Sequence, residues 1–480
     1  MWEGTTLKIT YVVIALLAGV VPSAAAQDPS PGGLALIGAN VIDVHTGAIQ
    51  PETTVLTRGN QIATVGPSAT TAIPDDVRVV DARGKYLIPG LIDTHVHLEE
   101  QWAMQPADTL AQLGWILAAG VTTVREASAW YSAEDRQACA TCIAENLIAL
   151  REASEDGRIL APRLYLSAIP HPALRERLGA ATTTEAVQRY RDLGMDAVKI
   201  TNQAPELALR TIREAAATGV PVWGHTSFFT EDGRIDNYTL RAVHAGISGV
   251  THTQYIYLVR PERDRRPPRR GPDGEWRSWR KWRLHLVTGW HRTEPLDIRA
   301  VIAAMVSRGV WLEPTLLAAR AEFEAGRYDA AALSRYHTWV YGESLFRWWE
   351  RRMYSRAWNA MGRFVRNFYE AGGTVVAGSD VMPFPPLGVT EEMRLLVEVG
   401  LPPLAALQAA TVNAARALRL DHRIGTVEEG KFADLVLLED NPLADITNIR
   451  TVAVVVTNGR LIERQALDRI LMRTGTPRSQ

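Results

Sequence analysis

Short apolar runs that end in a polar or ionisable residue recur through the middle of this chain, each separated from the next by a stretch of helical periodicity. They fall near 91–97, 121–126, 163–168, 197–201, 220–225, 249–252, 310–314 and 374–380. Strands buried on both faces read as continuous apolar runs, and parallel neighbours need a long crossover, usually a helix. Eight such units are what a closed parallel ring requires, so the spacing predicts an α/β chain with a (β/α)8 TIM barrel over 89–423. The connections at about 253–308 and 316–373 are longer than a plain crossover and mark places where function-bearing loops are expected.

Both ends have a different texture. Gly33 to about Tyr86 is rich in strand formers, and Ala433 to Leu438 and Val452 to Val456 repeat that character, with the Asn458-Gly459 pair as a hairpin signal. This predicts a small β-sandwich domain built from 27–88 and 424–480. Ahead of it, Lys8, the apolar run from Ile9 to Val21, and Ala24 and Ala26 before Gln27 have the order of a secretory signal peptide over 1–26. The mature chain is therefore expected in a secreted or periplasmic compartment without a stable membrane span. Cys139 and Cys142 are too few for a zinc site by themselves and read as a structural pair, bridged or not.

Charge narrows the partners. A formal net charge of -1 gives no general attraction to nucleic acid. The stretch from Arg260 to Arg283 is dense in Arg and Pro and carries Trp276, Trp279 and Trp282, but no recognition motif accompanies it; it reads as a lid or as a membrane-surface or partner contact. The expected partner is a small-molecule substrate, with a homo-oligomer as a further expectation.

The ends of the eight runs carry the chemistry. In Pro89-Gly90-Leu91-Ile92-Asp93-Thr94-His95-Val96-His97, two histidines stand two apart at the end of a strand, so both imidazoles face one side. His-x-His alone is a weak signal in a chain with 11 histidines. However, Lys199, His225, His252 and Asp380 stand at the ends of other runs, where barrel active sites lie. Imidazole and carboxylate suit borderline divalent metals, so this set is a candidate inner shell for two Zn-like ions. Less specific candidates are Glu126, which could sit beside the ligands or simply pair; Tyr255, a donor to the reacting oxyanion; His171 near the mouth; and loop arginines such as Arg260 for a substrate carboxylate. His45, His244, His285, His291, His337 and His422 match no such position.

With these motifs, with Gly120-Val121-Thr122-Thr123-Val124-Arg125, Gly378-Ser379-Asp380 and the run from Ile424-Gly425 to Gly430-Lys431-Phe432-Ala433-Asp434-Leu435, the chain resembles the amidohydrolase superfamily over about 33–465. Within it the sequence is most similar to the imidazolonepropionase-like group that includes exported Xaa-Pro and Xaa-Arg/Lys dipeptidases. The resemblance implies that His95, His97 and Asp380 hold the more buried ion, that His225 and His252 hold the other, and that a carboxylated Lys199 bridges them. It implies hydrolysis of an amide or peptide C–N bond, of a dipeptide or N-acyl amino acid, by a bridging hydroxide, with Asp380 as the proton carrier. If Lys199 is instead an ion-paired lysine beside one metal, the chemistry turns toward deamination or imidazolone hydrolysis. A cyclic amide, lactone or ester is the alternative substrate for the same centre, and a non-catalytic barrel that binds its ligand is the remaining reading.

Overall fold

The computed structural model describes residues 33–98, 106–127, 140–169, 180–201, 203–229, 235–253, 256, 290, 295–321, 348–380 and 388–472. The N-terminal strands are β1 (Leu34–Ile42), β2 (Ile49–Arg58), β3 (Gln61–Pro67), β4 (Arg78–Asp81) and β5 (Tyr86–Pro89). The central strands are β6 (Leu91–Val96), β7 (Val121–Glu126), β8 (Arg163–Ala168), β9 (Ala197–Ile200), β10 (Val222–Gly224), the small hairpin β11 (Ser227–Phe229) with β12 (Ile235–Asn237), β13 (Gly249–Thr251) and β14 (Trp311–Glu313). The chain ends with β15 (Leu435–Leu438), β16 (Val452–Thr457) and β17 (Arg460–Glu463), followed by a helix at Arg464–Met472.

The two ends of the sequence form one eight-stranded sheet in the order β17-β16-β15-β5-β1-β2-β3, with β4 against β1. β5 is the seam: it runs antiparallel to β15, with Leu87 opposite Leu437, and parallel to β1, with Tyr86 opposite Asn40. The far edge is also paired. The Ile62 amide donates to the Lys431 carbonyl at 2.8 Å, and the Gly430 amide donates to the Ile62 carbonyl at 2.8 Å, so the sheet curls back on the segment that leads into β15. That curl makes the sandwich, whose core includes Leu34, Leu36, Val55, Leu435, Val456 and Leu461. Burying each such side chain contributes about 1.5–3 kcal/mol. The β16–β17 turn is the expected one: Asn458 and Gly459 have φ of 50° and 75°, as a two-residue hairpin with both central residues left-handed demands.

The central strands form a separate parallel sheet in the order β14-β13-β10-β9-β8-β7-β6, each beside its successor, with helices such as Thr183–Asp192, Pro205–Ala217 and Pro295–Ser307 between them. This is the (β/α)8 barrel. Its eighth run is reduced to a bridge: Leu312 pairs with Val375, the Leu312 amide donating to Thr374 at 3.0 Å and the Val376 amide to Leu312 at 2.9 Å. By density of contacts the chain forms two compact units, 1–166 with 382–393 and 403–480, and 167–381 with 394–402. The first holds the terminal sheet with β6 and β7; the second holds β9, β10, β13 and β14.

Candidate metal centre

In the first unit, every residue of β6 is buried, His95 fully and His97 to within 9 % exposure, and the two imidazole rings lie 5.1 Å apart. The ladder between β6 and β7 is irregular between Asp93 and Val96, where regular pairing no longer holds the strand. Side chains take over there, because buried backbone groups must be satisfied somewhere. The fully buried Arg125 donates from Nε to the Thr94 carbonyl at 2.6 Å, and the Leu98 amide donates to Glu126 Oε2 at 2.5 Å. The His95 amide donates to Asp93 Oδ1 at 3.1 Å, and the Ala127 amide to the Val96 carbonyl at 2.8 Å. Glu126 thus braces the end of the His-x-His strand. Arg125 does the same for its middle, a role the sequence did not reveal.

In the second unit, Lys199 is 1 % exposed on β9, level with Trp223 on β10. Immediately before His225 the backbone turns at Gly224, whose φ is 151°; a Cβ there would come within 2.1 Å of the Ile200 carbonyl oxygen, so only glycine fits. His225 then donates its amide to that carbonyl at 2.9 Å and accepts the Tyr238 hydroxyl on its own carbonyl at 2.9 Å. Burial pushes the Tyr238 hydroxyl above the usual phenol range, which keeps it a donor.

His225 and His252 meet edge to face with ring centroids 4.6 Å apart. His252 Nδ1 lies 2.8 Å from Thr315 Oγ1 and 3.3 Å from Asp380 Oδ2. His252, Thr315 and Asp380 all have left-handed backbones, with φ of 67°, 49° and 50°. Such a conformation is uncommon for a non-glycine residue and a clear outlier for a β-branched threonine, and it costs on the order of 1–3 kcal/mol each. That strain is concentrated on residues that touch one another. With Nδ1 engaged by Thr315, Nε2 is the nitrogen with which His252 would ligate a cation. The sequence does not single out Thr315; the only hint there is its place one residue beyond the seventh run.

In the first unit His95 and His97 each offer a ring nitrogen, and in the second Asp380 offers a carboxylate oxygen. Neutral imidazoles with one carboxylate are the donor set that zinc-like divalent ions take, so the residues fit such an ion. Tyr255, His171, Arg260, Trp276, Trp279, Trp282, His285, His291, His337 and Cys139 lie outside the described residues, as does the segment 1–32. Cys142 lies in the helix Ala140–Glu155. His45, His244 and His422 are exposed. Among the described residues no helix is long and apolar enough to cross a membrane.

The model of the family described as "Amidohydrolase family" matches residues 86–462. An adenine deaminase of Rubrobacter xylanophilus is 23% identical over 455 residues, covering 92% of this chain and 60% of its own length. The chain thus spans about 60% of that curated relative, and a similar share of an adenine deaminase of Paracoccus denitrificans, at 59%. Among solved structures, a Xaa-Pro dipeptidase with methionine bound in its active site superposes with a TM-score of 0.62 at 20% identity, over 90% of this chain and 100% of that one.

Proposed function

The chain belongs to the amidohydrolase family, and from that premise we propose that it is a metal-dependent hydrolase of a carbon–nitrogen bond, acting on a dipeptide or N-acyl amino acid. The observation that carries this reading is the buried His95–His97 pair at the end of β6, with rings 5.1 Å apart, a pair of imidazoles that suits a divalent ion. The buried Lys199 and the His225–His252 pair support a second cation position, with a carboxylated Lys199 between the two. A cation cannot be held by an ammonium, whereas a carbamate offers anionic oxygens. The signal-like segment at 1–26 supports export of the chain.

When bound, divalent ions of this kind acidify water and polarise a carbonyl. The protein's own groups do the rest. His95 and His97 present their rings from a strand whose backbone Arg125 and Glu126 brace, so the donors are aimed before a cation arrives. Asp380, its side chain 18 % exposed, has its carboxylate 3.3 Å from His252 Nδ1, so a proton taken at Oδ2 has the His252 imidazole beside it. In this role Asp380 receives the proton of the attacking water and delivers it to the departing amine.

The adenine deaminase relatives favour a second reading, removal of an exocyclic amino group, which also breaks a C–N bond. Metal analysis of the purified protein, paired with a screen of dipeptides, N-acyl amino acids, cyclic amides and adenine, separates the readings. We expect bound zinc, manganese or iron and turnover of an acyclic amide. Ammonia release from adenine alone would replace the first reading with the second, and a preparation that binds no divalent metal would overturn both.

A further inference from the structure

The long helix Trp348–Glu370 has two unlike sides. Ala357, Met361, Phe364, Val365 and Phe368 are buried, at the spacing of one helical face. On another side Ser355, Asn359, Arg363 and Arg366 recur at steps of three or four, and they line a cavity of about 670 Å³. Its other walls are Arg320 of the helix Leu316–Ala321 and Glu398 at the end of the helix Val389–Glu398, with Val399 after it. All these residues belong to the second unit, and none stands at the end of a barrel strand. Small-molecule sites typically measure about 300–1,000 Å³, so the volume is that of a ligand site. From Tyr354 to Arg366 the lining follows twelve residues of helix, roughly 18 Å at 1.5 Å per residue. An inorganic ion would fill only a small part of that length.

The charges around the cavity do not cancel. Glu398 is already claimed: Arg320 donates to its Oε1 at 2.6 Å and Arg394 to its Oε2 at 2.9 Å. Burial raises the Glu398 carboxyl, but those two hydrogen bonds outweigh it and hold the group below the usual carboxylate range, so it is ionised at neutral pH. Arg320 also lies over the Trp358 ring, 4.7 Å from its centroid, which fixes its place. Of the arginines that line the cavity, Arg363 and Arg366 remain. Arg363 is exposed and has no ion-pair partner among the described residues. Arg366 meets Glu370 at 3.8 Å, an exposed pair of small worth that a ligand can displace. The Arg366 stem is nonetheless guided: a Cβ on Gly400 would come 2.9 Å from its Cδ, so the side chain lies along space that the glycine leaves open. Gly362 acts similarly between the helices, since a Cβ there would come 2.9 Å from Val399 Cγ1. Two guanidiniums three residues apart on one helical face can share the oxygens of a single carboxylate or phosphate.

We propose that this cavity is a second ligand site, taking an organic oxyanion whose carboxylate or phosphate is held by Arg363 and Arg366 and whose body lies along the helix toward Tyr354. Glu398 sets the direction: tied through Arg320 to Trp358, its negative charge keeps an anionic head away from that end. The assignment is independent of the hydrolase reading, because none of these residues belongs to the candidate metal centre.

The test is calorimetric titration of the full, metal-loaded chain with phenyl phosphate, phenylacetate, inorganic phosphate and the neutral phenylacetamide. One of the two organic anions is expected to bind at least about tenfold more tightly than phenylacetamide, and the tighter of them identifies the head as phosphate or carboxylate. The Arg363→Gln/Arg366→Gln double variant should weaken that probe about 10- to 100-fold, the loss expected for hydrogen bonds to charged groups. Asn359→Trp, which fills the groove with both arginines in place, should weaken it at least about tenfold by steric exclusion. Unchanged affinity in either variant puts the probe elsewhere, as at the metals, and overturns the assignment. Phenylacetamide binding as tightly as both anions overturns it as well, and so does inorganic phosphate matching the tighter organic probe, which would leave a bare-anion contact. Should the double variant fail to fold, Asn359→Trp, a change at an exposed position, decides alone.

Discussion

The terminal sheet and the ends of the barrel strands obey opposite rules. In the sheet, Leu34, Leu36, Val55, Leu435 and Val456 bury apolar surface, the far edge is hydrogen-bonded to the 430–433 segment, and the hairpin at Asn458-Gly459 has the backbone its residues prefer. At the barrel strand ends, Arg125, Glu126, Lys199 and Glu313 are buried charges or potential charges, and His252, Thr315 and Asp380 are held in backbone conformations that their side chains disfavour. Burying ionisable groups and straining backbone both oppose folding. The difference agrees with the function proposed above: one region supplies stability, and in that proposal the other gives some of it up to hold reactive groups in place.

The sharpest way to break this contrast is to damage each region once. Replacing His95 by Ala is expected to lower kcat/KM by about 10^3-fold or more and to strip metal, because the cation supplies several kcal/mol of transition-state stabilisation. Activity and metal content of the same preparation check this; a variant that keeps both would remove His95 from the centre. Leu435→Ala is the counterpart. It should cost about 2–5 kcal/mol of unfolding free energy in denaturant titration, while kcat per folded molecule stays within about twofold. If Leu435→Ala instead lost metal with little change in stability, the division of labour would be wrong.

A smaller effect is expected at the join between strand and centre. Arg125→Met keeps a long apolar side chain but removes the hydrogen bond to the Thr94 carbonyl, so the strand that carries His95 loses its brace. Metal affinity, measured by competition with a chelator, should weaken about 10- to 100-fold, as for other groups that orient ligands from behind. Wild-type metal affinity in the Arg125→Met variant would show that β6 needs no such support.

What the sequence discloses follows from how local each signal is. The seven named barrel strands appear where apolar runs predict them, because burial on both faces writes itself into consecutive residues. The run at 374–380 reads as a full strand yet forms a bridge at Val375 before the backbone turns left-handed at Asp380. The Asn-Gly hairpin is legible because two adjacent residues dictate it. His95 and His97 are legible as a pair, since period two is a property of one strand. Arg125 and Thr315 are not, because their meaning depends on which strand lies alongside and on a φ angle. An arginine after a Val-Thr-Thr-Val run says nothing of the Thr94 carbonyl until the irregular β6–β7 register is known.

The finest division lies within Thr315, where two opposing features share one residue: a strained backbone at φ 49° and a hydroxyl 2.8 Å from His252 Nδ1. If the strain persists because the hydroxyl must reach the imidazole, the hydroxyl should matter and the β-branch should not. Thr315→Val keeps the branch and removes the oxygen, so His252 loses the group that fixes its ring, and metal affinity should fall about tenfold. Thr315→Ser keeps the oxygen and drops the branch, which eases the left-handed backbone; affinity should stay within about threefold, with stability unchanged or higher by up to about 1 kcal/mol. Chelator competition and thermal melts on both variants read the two quantities separately. The reverse pattern, affinity kept in the valine variant and lost in the serine one, would mean that shape rather than the hydroxyl positions His252, and the strained backbone would then need another explanation.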